Sequence, residues 1–422
     1  MNAPLLSLAL KSLINRKATA ILTIAAIALS VTLLLGVEKV RSGARDSFAN
    51  TVSGTDLIVG ARGGAIQLLL YSVFRIGDAS NNISWQSYEE LRAWPEVAWS
   101  VPISLGDAHR GFRVVGTTAG YFEHLRYGRR QALSFDAGQP FADLFDAVIG
   151  ADVARELGYV VGDRMELAHG AGAFAVQSHD DKPFTVFGVL ARTGTPVDRS
   201  VHVSLAAIEA IHVDWQSGRP PRPGQAVSAE AARAMALQPK AVTAVLVGLK
   251  SRMAAFAVQR RVNTYADEAL LAILPGVTLQ QLWDAIGGLE KALFAISVMV
   301  VVTGFMGMTA VSLGALNERR REMAILRSVG ARPREIFLLL VVESGGLAAV
   351  AAAVGAAMLY GGIWLARPFV QSQFGFHLPA GGLSAYELAL LGLVVLAGCA
   401  SGALPAYLAY RRSLADGMAV RR

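Results

Sequence analysis

Cysteine is nearly absent: the 422 residues hold one, Cys399. That excludes a disulfide framework and cysteine-based zinc sites, so any folded domain outside the membrane must be held by packing. Charged residues are scarce as well, 17% against 53% hydrophobic, and the mean hydropathy is positive at +0.43, which is unusual for a wholly soluble chain. No glycine-rich stretch ends in Gly-Lys-Ser/Thr, so the phosphate loop that ATP chemistry needs is missing. Neither a His-Glu-x-x-His helix nor a Gly-x-Ser-x-Gly elbow occurs, and no other catalytic motif takes their place.

What is present is apolar sequence in four long runs: Ala18 to Val37, Ala292 to Leu316, Ile336 to Gly362, and Leu388 to Leu404 extended through Pro405 to Tyr407. Crossing ~30 Å of hydrocarbon takes about 20 helical residues, so each is a membrane span. The chain divides into an amphipathic lead-in (1–17), a first span (18–37), a large domain (38–288), a second span (289–316), a polar segment (317–335), a third span (336–362), a short loop (363–387), a fourth span (388–409) and a tail (410–422). The apolar run after Lys17 is as long as a full span, and Gly36-Val37-Glu38-Lys39 offers no small-residue cleavage site, so it reads as an uncleaved signal anchor.

Basic residues set the orientation. Lys11, Arg16 and Lys17 precede the first span, six arginines from Arg319 to Arg334 fill the polar segment, and Arg411, Arg412, Arg421 and Arg422 follow the last span. Both termini and the polar segment are therefore expected in the cytoplasm, and the large domain in the periplasm or outside the cell. The net charge of +7 belongs to that inner face, because residues 38–291 carry 25 basic and 26 acidic side chains. This balance leaves no basic patch for nucleic acid; anionic lipid headgroups and a cytoplasmic protein are the expected partners.

The domain is long enough for a real core. Strands are predicted at Asp56–Val59, Phe112–Gly116, Phe184–Leu190 and Ala241–Leu249, and helices at Ser84–Ala93, Ala151–Leu157, Leu205–Ile211 and Arg252–Ala272, a mixed α+β pattern. Ser217–Gly224 reads as an exposed Pro- and Gly-rich loop, and Thr55–Gly64 as a strand followed by a turn. The apolar stretch Ile66–Ile76 is either a core element or a flap touching lipid or an acylated cargo. His169, His179, Asp180 and Asp181 carry metal-ligating groups, but their spacing matches no ligand motif and Gly170-Ala171-Gly172 marks a loop; whether they bind anything is open.

The polar segment holds the most specific signal. In Glu318-Arg319-Arg320-Arg321-Glu322-Met323-Ala324-Ile325-Leu326-Arg327-Ser328-Val329-Gly330-Ala331-Arg332-Pro333 the apolar residues recur at three- and four-residue steps, which predicts a short amphipathic helix stopped at Gly330. The run resembles the cytoplasmic coupling segment of FtsX/MacB-type ABC transporter permeases. Val341-Val342-Glu343-Ser344-Gly345-Gly346, the closing Pro405-Ala406-Tyr407, and the middle of the domain from Ile149-Gly150 to Leu190 are similar to the same family. The resemblance implies four transmembrane α-helices with a MacB-like extracytoplasmic α+β domain between the first and second, a smaller β-rich subdomain being inserted near residues 120–200. It implies a permease that dimerises and binds two copies of a separate ATPase, which alone holds ATP and magnesium, so no cofactor is expected in this chain. Glu318, Arg319, Arg320, Arg321, Glu322, Ile325, Leu326, Arg327 and Gly330 are the expected ATPase contact. Glu343, an acid inside a span, is the expected intramembrane functional residue. Movement of the outer domains would serve export or extraction of a substrate. An adaptor, a substrate-binding protein or a lipoprotein is a further conceivable partner. The alternatives are an FtsX-like signalling scaffold controlling an extracytoplasmic enzyme, and a receptor without an ATPase.

Overall fold

The computed structural model describes residues 17–51, 53–169, 177–178, 181–215, 226–328, 330–374 and 382–411. Two compact units emerge, one of Met1–Gly43, Gly287–Val370 and Leu378–Arg422, the other of Ala44–Ile286 with Gln371–His377.

The first unit is helical. Among the described residues, four helices are long and apolar enough to cross a membrane, their candidate spans being Lys17–Gly43, Pro275–Leu316, Pro333–Ala366 and Ala385–Ala409. The helices themselves are α1 (Lys17–Thr51), α6 (Pro275–Ser328), α7 (Pro333–Phe374) and α8 (Ala385–Arg411); α2 (Trp85–Arg92), α3 (Ala151–Leu157), α4 (Leu205–His212) and α5 (Ala255–Asn263) lie in the other unit. Ile27, Val31 and Leu35 of α1 pack with Phe305 and Met308 of α6, Ala348 and Ala352 of α7, and Val394 of α8. Between apolar lipid tails there is no hydrophobic drive to pair helices, so small residues and close backbone approach supply the contact instead. Thus Thr32 Oγ1 donates to the carbonyl of Gly355 at 3.0 Å, and a methyl placed on Gly355 would lie 2.6 Å from the Ala28 carbonyl oxygen. Gly345 faces Cys399, Gly398 faces Ala348 and Gly402 faces Ser344, whereas Gly346, Gly361 and Gly362 meet nothing within 4 Å.

The second unit is built on one mixed sheet. Its main strands are β1 (Leu57–Ala61), β2 (Val97–His109), β3 (Phe112–Thr117), β4 (Phe135–Gly138), β5 (Asp146–Ile149), β6 (Phe184–Leu190), β7 (Ser200–Ser204), β8 (Ala244–Leu249) and β9 (Leu270–Ile273). They run in the order β9-β1-β8-β2-β3-β7-β5-β6-β4, with short strands joined off this path. The β3–β7 and β5–β6 pairs are parallel and the other neighbours antiparallel. Period-two alternation sends Leu57 and Val59 of β1 into one core with α2 (Trp85–Arg92) and α5 (Ala255–Asn263), and Ile58 into another. The same alternation in β8 divides Val245 and Val247 from Ala244 and Leu246, so both faces of this half of the sheet are covered. A third core gathers β5, β6 and β7 with α3 (Ala151–Leu157) and α4 (Leu205–His212).

Three differences from the sequence expectations have simple causes. The helix expected over Arg252–Ala272 ends at Asn263, and Leu270–Ile273 is a strand, because a four-residue apolar run shows no period of its own. The 13-residue β2 escapes pattern reading because Pro102 and Gly106 interrupt it, and it carries Pro102 opposite Val245 although proline has no N–H to give to a neighbouring strand. The polar segment is not a separate helix: α6 runs on to Ser328, since no Gly or Pro stands between Ala315 and Val329 to stop it. The Ile66–Ile76 stretch is a core element rather than a flap, with Leu68, Leu69, Tyr71 and Phe74 buried. It closes in a π-helical turn capped by Arg75 in the left-handed conformation, φ 61°.

Candidate functional site

The turn between α6 and α7 is assembled by helix-stop chemistry. Past Ser328 the chain reverses on Gly330 at φ 99°, with Gly330 N donating to the Arg327 carbonyl at 3.0 Å and Ala331 N to the Leu326 carbonyl at 2.9 Å. A positive φ is nearly free for glycine and strained for other residues, so Gly330 sets the turn. Pro333 opens α7, and the Glu335 carboxylate accepts from Arg332 N at 2.8 Å, closing the N-terminus.

The expected contact residues separate by helix face. Met323 packs against the cluster of Leu316, Ile336, Leu340, Ala406 and Ala409, and Ala324 is buried. Ile325 points away, 55% exposed, while Leu326 and Arg327 are half-buried. Arg327 Nη2 donates to the Ala409 carbonyl at 3.4 Å, near the C-terminus of α8, where a cation is favoured. Part of what the motif does is therefore internal. The backbone of Glu318, Arg319, Arg320, Arg321 and Glu322 continues α6, and their side chains lie outside the described residues, as does Val329.

Glu343 sits ten residues into α7, about 15 Å from its start at 1.5 Å per residue. It is half-buried and lines a cavity of about 280 Å³ within the helical unit.

At the opposite end of that unit is a buried ion pair that sequence reasoning missed. Lys39 Nζ stands 3.4 Å from Glu387 Oε1 and donates to Tyr360 Oη and the Gly382 carbonyl, each at 3.3 Å, joining α1, α7 and α8. Their side chains are 8% and 2% exposed. Glu387 is held in turn by a capping box: Ser384 N donates to its carboxylate at 2.7 Å, and Glu387 N donates to Ser384 Oγ at 3.1 Å. The pair spans 348 positions of sequence, so only the Ser-x-x-Glu box itself was legible beforehand.

In the sheet unit, His202 is fully buried against Tyr121 and Phe122, and burial together with the positive charge of Arg75 lowers its pKa to about 3. Lys182, also fully buried, bridges Asp181 at 2.7 Å and Asp214 at 2.9 Å, and Asp214 accepts from Val227 N at 2.8 Å. Asp181 is thus committed to a lysine. His179 and Asp180, the His169 side chain and the Ser217–Gly224 loop lie outside the described residues. Among the described residues no three His, Cys, Asp or Glu side chains gather where a metal could sit.

Four apolar helices with a mixed-sheet domain between the first and second define a multi-spanning membrane protein with one large soluble insertion. The chain matches the MacB-like periplasmic core domain over residues 20–265 and the FtsX-like permease C-terminal family over residues 294–414. It belongs to the FtsX/MacB-type family of ABC transporter permeases. Among solved structures it is similar to the periplasmic region of MacB from Actinobacillus actinomycetemcomitans, at 9% identity and TM-score 0.34 over 55% of this chain and 94% of that one. It is also similar to the extracellular domain of the noncanonic ABC-type transporter YknZ from Gram-positive bacteria, at 12% identity and TM-score 0.31 over 51% and 98%. No curated protein matches.

Proposed function

We propose that this chain is a non-catalytic permease subunit that turns ATP hydrolysis by a separate ATPase into movement of its own extracytoplasmic domain. The reading places it in the inner membrane, with both termini and the Gly330 turn in the cytoplasm. The observation that carries it is the continuity of α6, 54 residues without a break from Pro275 to Ser328. At 1.5 Å per residue this is a rod of about 80 Å, against a hydrocarbon core of ~30 Å. One end carries the coupling motif and the other begins two residues after β9 of the soluble domain. A helix is stiff along its axis, so displacement of the motif by closing ATPases moves the strand it follows. Ile325 is the exposed apolar anchor for the ATPase, with Glu318, Arg319, Arg320, Arg321, Glu322, Leu326 and Arg327 supplying charge pairs and rim.

A second copy of the chain is expected beside the first. Only 17% of the most apolar stretch of α6 is buried, against 39% for α1 and α7, which leaves its outer face to lipid or a partner span. ATP and magnesium belong to the ATPase, and the work performed is export or extraction of a substrate.

The test uses Gly288→Pro, at an open position on α6. A mid-helix proline removes a backbone hydrogen bond and kinks the rod. With the ATPase bound, ATP and vanadate should alter hydrogen exchange of the β1 and β9 amides in wild type and leave them unchanged in the variant. An equal response in both would refute transmission through α6.

A further inference from the structure

Helix α5 of the sheet unit carries apolar side chains on two faces. Val258 and Val262 enter the core shared with β1 and β9. On the other side Met253, in the short turn Arg252–Ala254 that leads into the helix, is 92% exposed and Phe256 70%, with Ala257 exposed beside them. Lone apolar residues at a surface need no explanation, but these two are three positions apart on a helical path and so form one patch. The patch is held in place. Ser251 Oγ accepts from Met253 N at 3.3 Å and starts the turn, while Gln259 Nε2 donates to the Ala272 carbonyl at 3.1 Å and Asn263 Oδ1 accepts from Ala272 N at 2.7 Å, so α5 is tied along β9.

The rim of the patch is basic. From Lys250 to Thr264 the sequence has four cations, Lys250, Arg252, Arg260 and Arg261, and no carboxylate. Arg252 stands 3.6 Å from Asp56, and Arg261 stands 3.7 Å from Glu96 while lying over the Trp94 ring at 3.9 Å. Among the described residues Lys250 and Arg260, both exposed, form no ion pair. The complementary surface is therefore acidic, with an apolar slot for Phe256. Phe, Met and Arg are residue types enriched where proteins meet. A lipid surface is the weaker fit, since an interfacial helix presents a continuous apolar stripe and this one offers two large side chains. A second copy seated patch to patch would set arginines against arginines.

We propose that Met253 and Phe256, rimmed by Arg252 and Arg260, form a docking surface for a different protein that presents acidic side chains around an apolar slot. Because α5 is bonded to β9, the strand that α6 follows, a partner seated here is joined to the element that the rod displaces. That consequence, and the partner's place outside the cytoplasm, rest on the function proposed above; the docking surface itself does not.

To test it, p-benzoylphenylalanine would replace Phe256 in the full chain in its native membrane, and the peptides joined to it on irradiation would be sequenced. The expected adduct is a segment of a different protein rich in Asp and Glu. A synthetic peptide of that segment, and the same peptide with Asn and Gln in place of its carboxylates, would then be titrated by fluorescence anisotropy against the chain with its co-purified ATPase in nanodiscs. The acidic peptide should bind at least tenfold more tightly than the neutral one, and its affinity should fall as salt rises. Phe256→Ser should weaken it at least tenfold and Arg260→Glu severalfold. Both positions are exposed, so neither variant should disturb the fold. The proposal is overturned if the adducts are confined to lipid or to a second copy of this chain, if none forms, if the neutral peptide binds as tightly as the acidic one, or if binding survives both variants. The ATPase retained on the same sample reports separately on the permease reading.

Discussion

Removing Lys39 alone should be among the most damaging single changes in the helical unit. Glu387 would remain 2% exposed, its carboxylate tied to Ser384 but stripped of the cation 3.4 Å away. Breaking a buried ion pair from one side costs about 3–5 kcal/mol, because the orphaned charge cannot return to water. Lys39→Met keeps most of the aliphatic volume, so the loss reports charge and not a cavity. Replacing both members, as Lys39→Met with Glu387→Met, removes the orphan and should recover most of that loss, leaving about 1 kcal/mol for the missing cap on α8. Exchanging the charges would not restore wild type, since a lysine at 387 could not accept from Ser384 N. Denaturant unfolding of the purified chain in mixed micelles gives the three free energies. If Lys39→Met unfolds within ~0.5 kcal/mol of wild type, the pair is solvated and the reasoning fails.

Three further outcomes follow from the same geometry. His202 is held neutral with a pKa of about 3, below the ~6.5 of an unfolded chain, so the unfolded state takes up the proton first and the domain loses stability as pH falls below 6.5. The loss reaches about 2 kcal/mol by pH 5, and His202→Gln should remove that component, read as the difference in proteolytic susceptibility between pH 7.5 and 5. Gly355→Ala should weaken α1–α7 packing by about 1–3 kcal/mol, because the Ala28 carbonyl it meets is backbone and cannot turn aside, whereas Gly361→Ala, with open space around it, should be neutral in the same unfolding assay. Gly330→Ala should cost about 1 kcal/mol or more through its φ of 99° and reduce ATPase retention without altering the outer domain, which hydrogen exchange can verify.

Much of the architecture was readable because the bilayer and the sheet constrain segment length. Four apolar runs of near-span length have few other solutions, and Asp56–Val59 and Ala241–Leu249 stood out as short apolar runs bounded by turn residues, without a period of their own. The Arg-rich motif between Leu316 and Pro333 was legible as a site, but not which residues face outward. That depends on Met323 finding the Leu316–Ile336 cluster, a contact between helices that no local pattern encodes. Met323 shares the segment's apolar spacing with Ile325, yet it lies inside while Ile325 carries the outer face. The cavity and the Lys39–Glu387 pair were invisible for the same reason, since each joins residues more than 300 positions apart. Glu343 stood out beforehand because an acid is costly in a span and because the run Val341–Gly346 around it resembles the family.

The central claim is that the Gly330 hairpin receives an ATPase. The direct measurement is purification of the tagged chain from its native membrane, with wild type and Ile325→Asp run side by side and companions identified by mass spectrometry. Ile325 is exposed, so the variant should fold. The account predicts a Walker-motif ATPase with wild type and at least a tenfold loss of it with Ile325→Asp. An ATPase retained equally by both, or none with either while the chain stays intact, would contradict it.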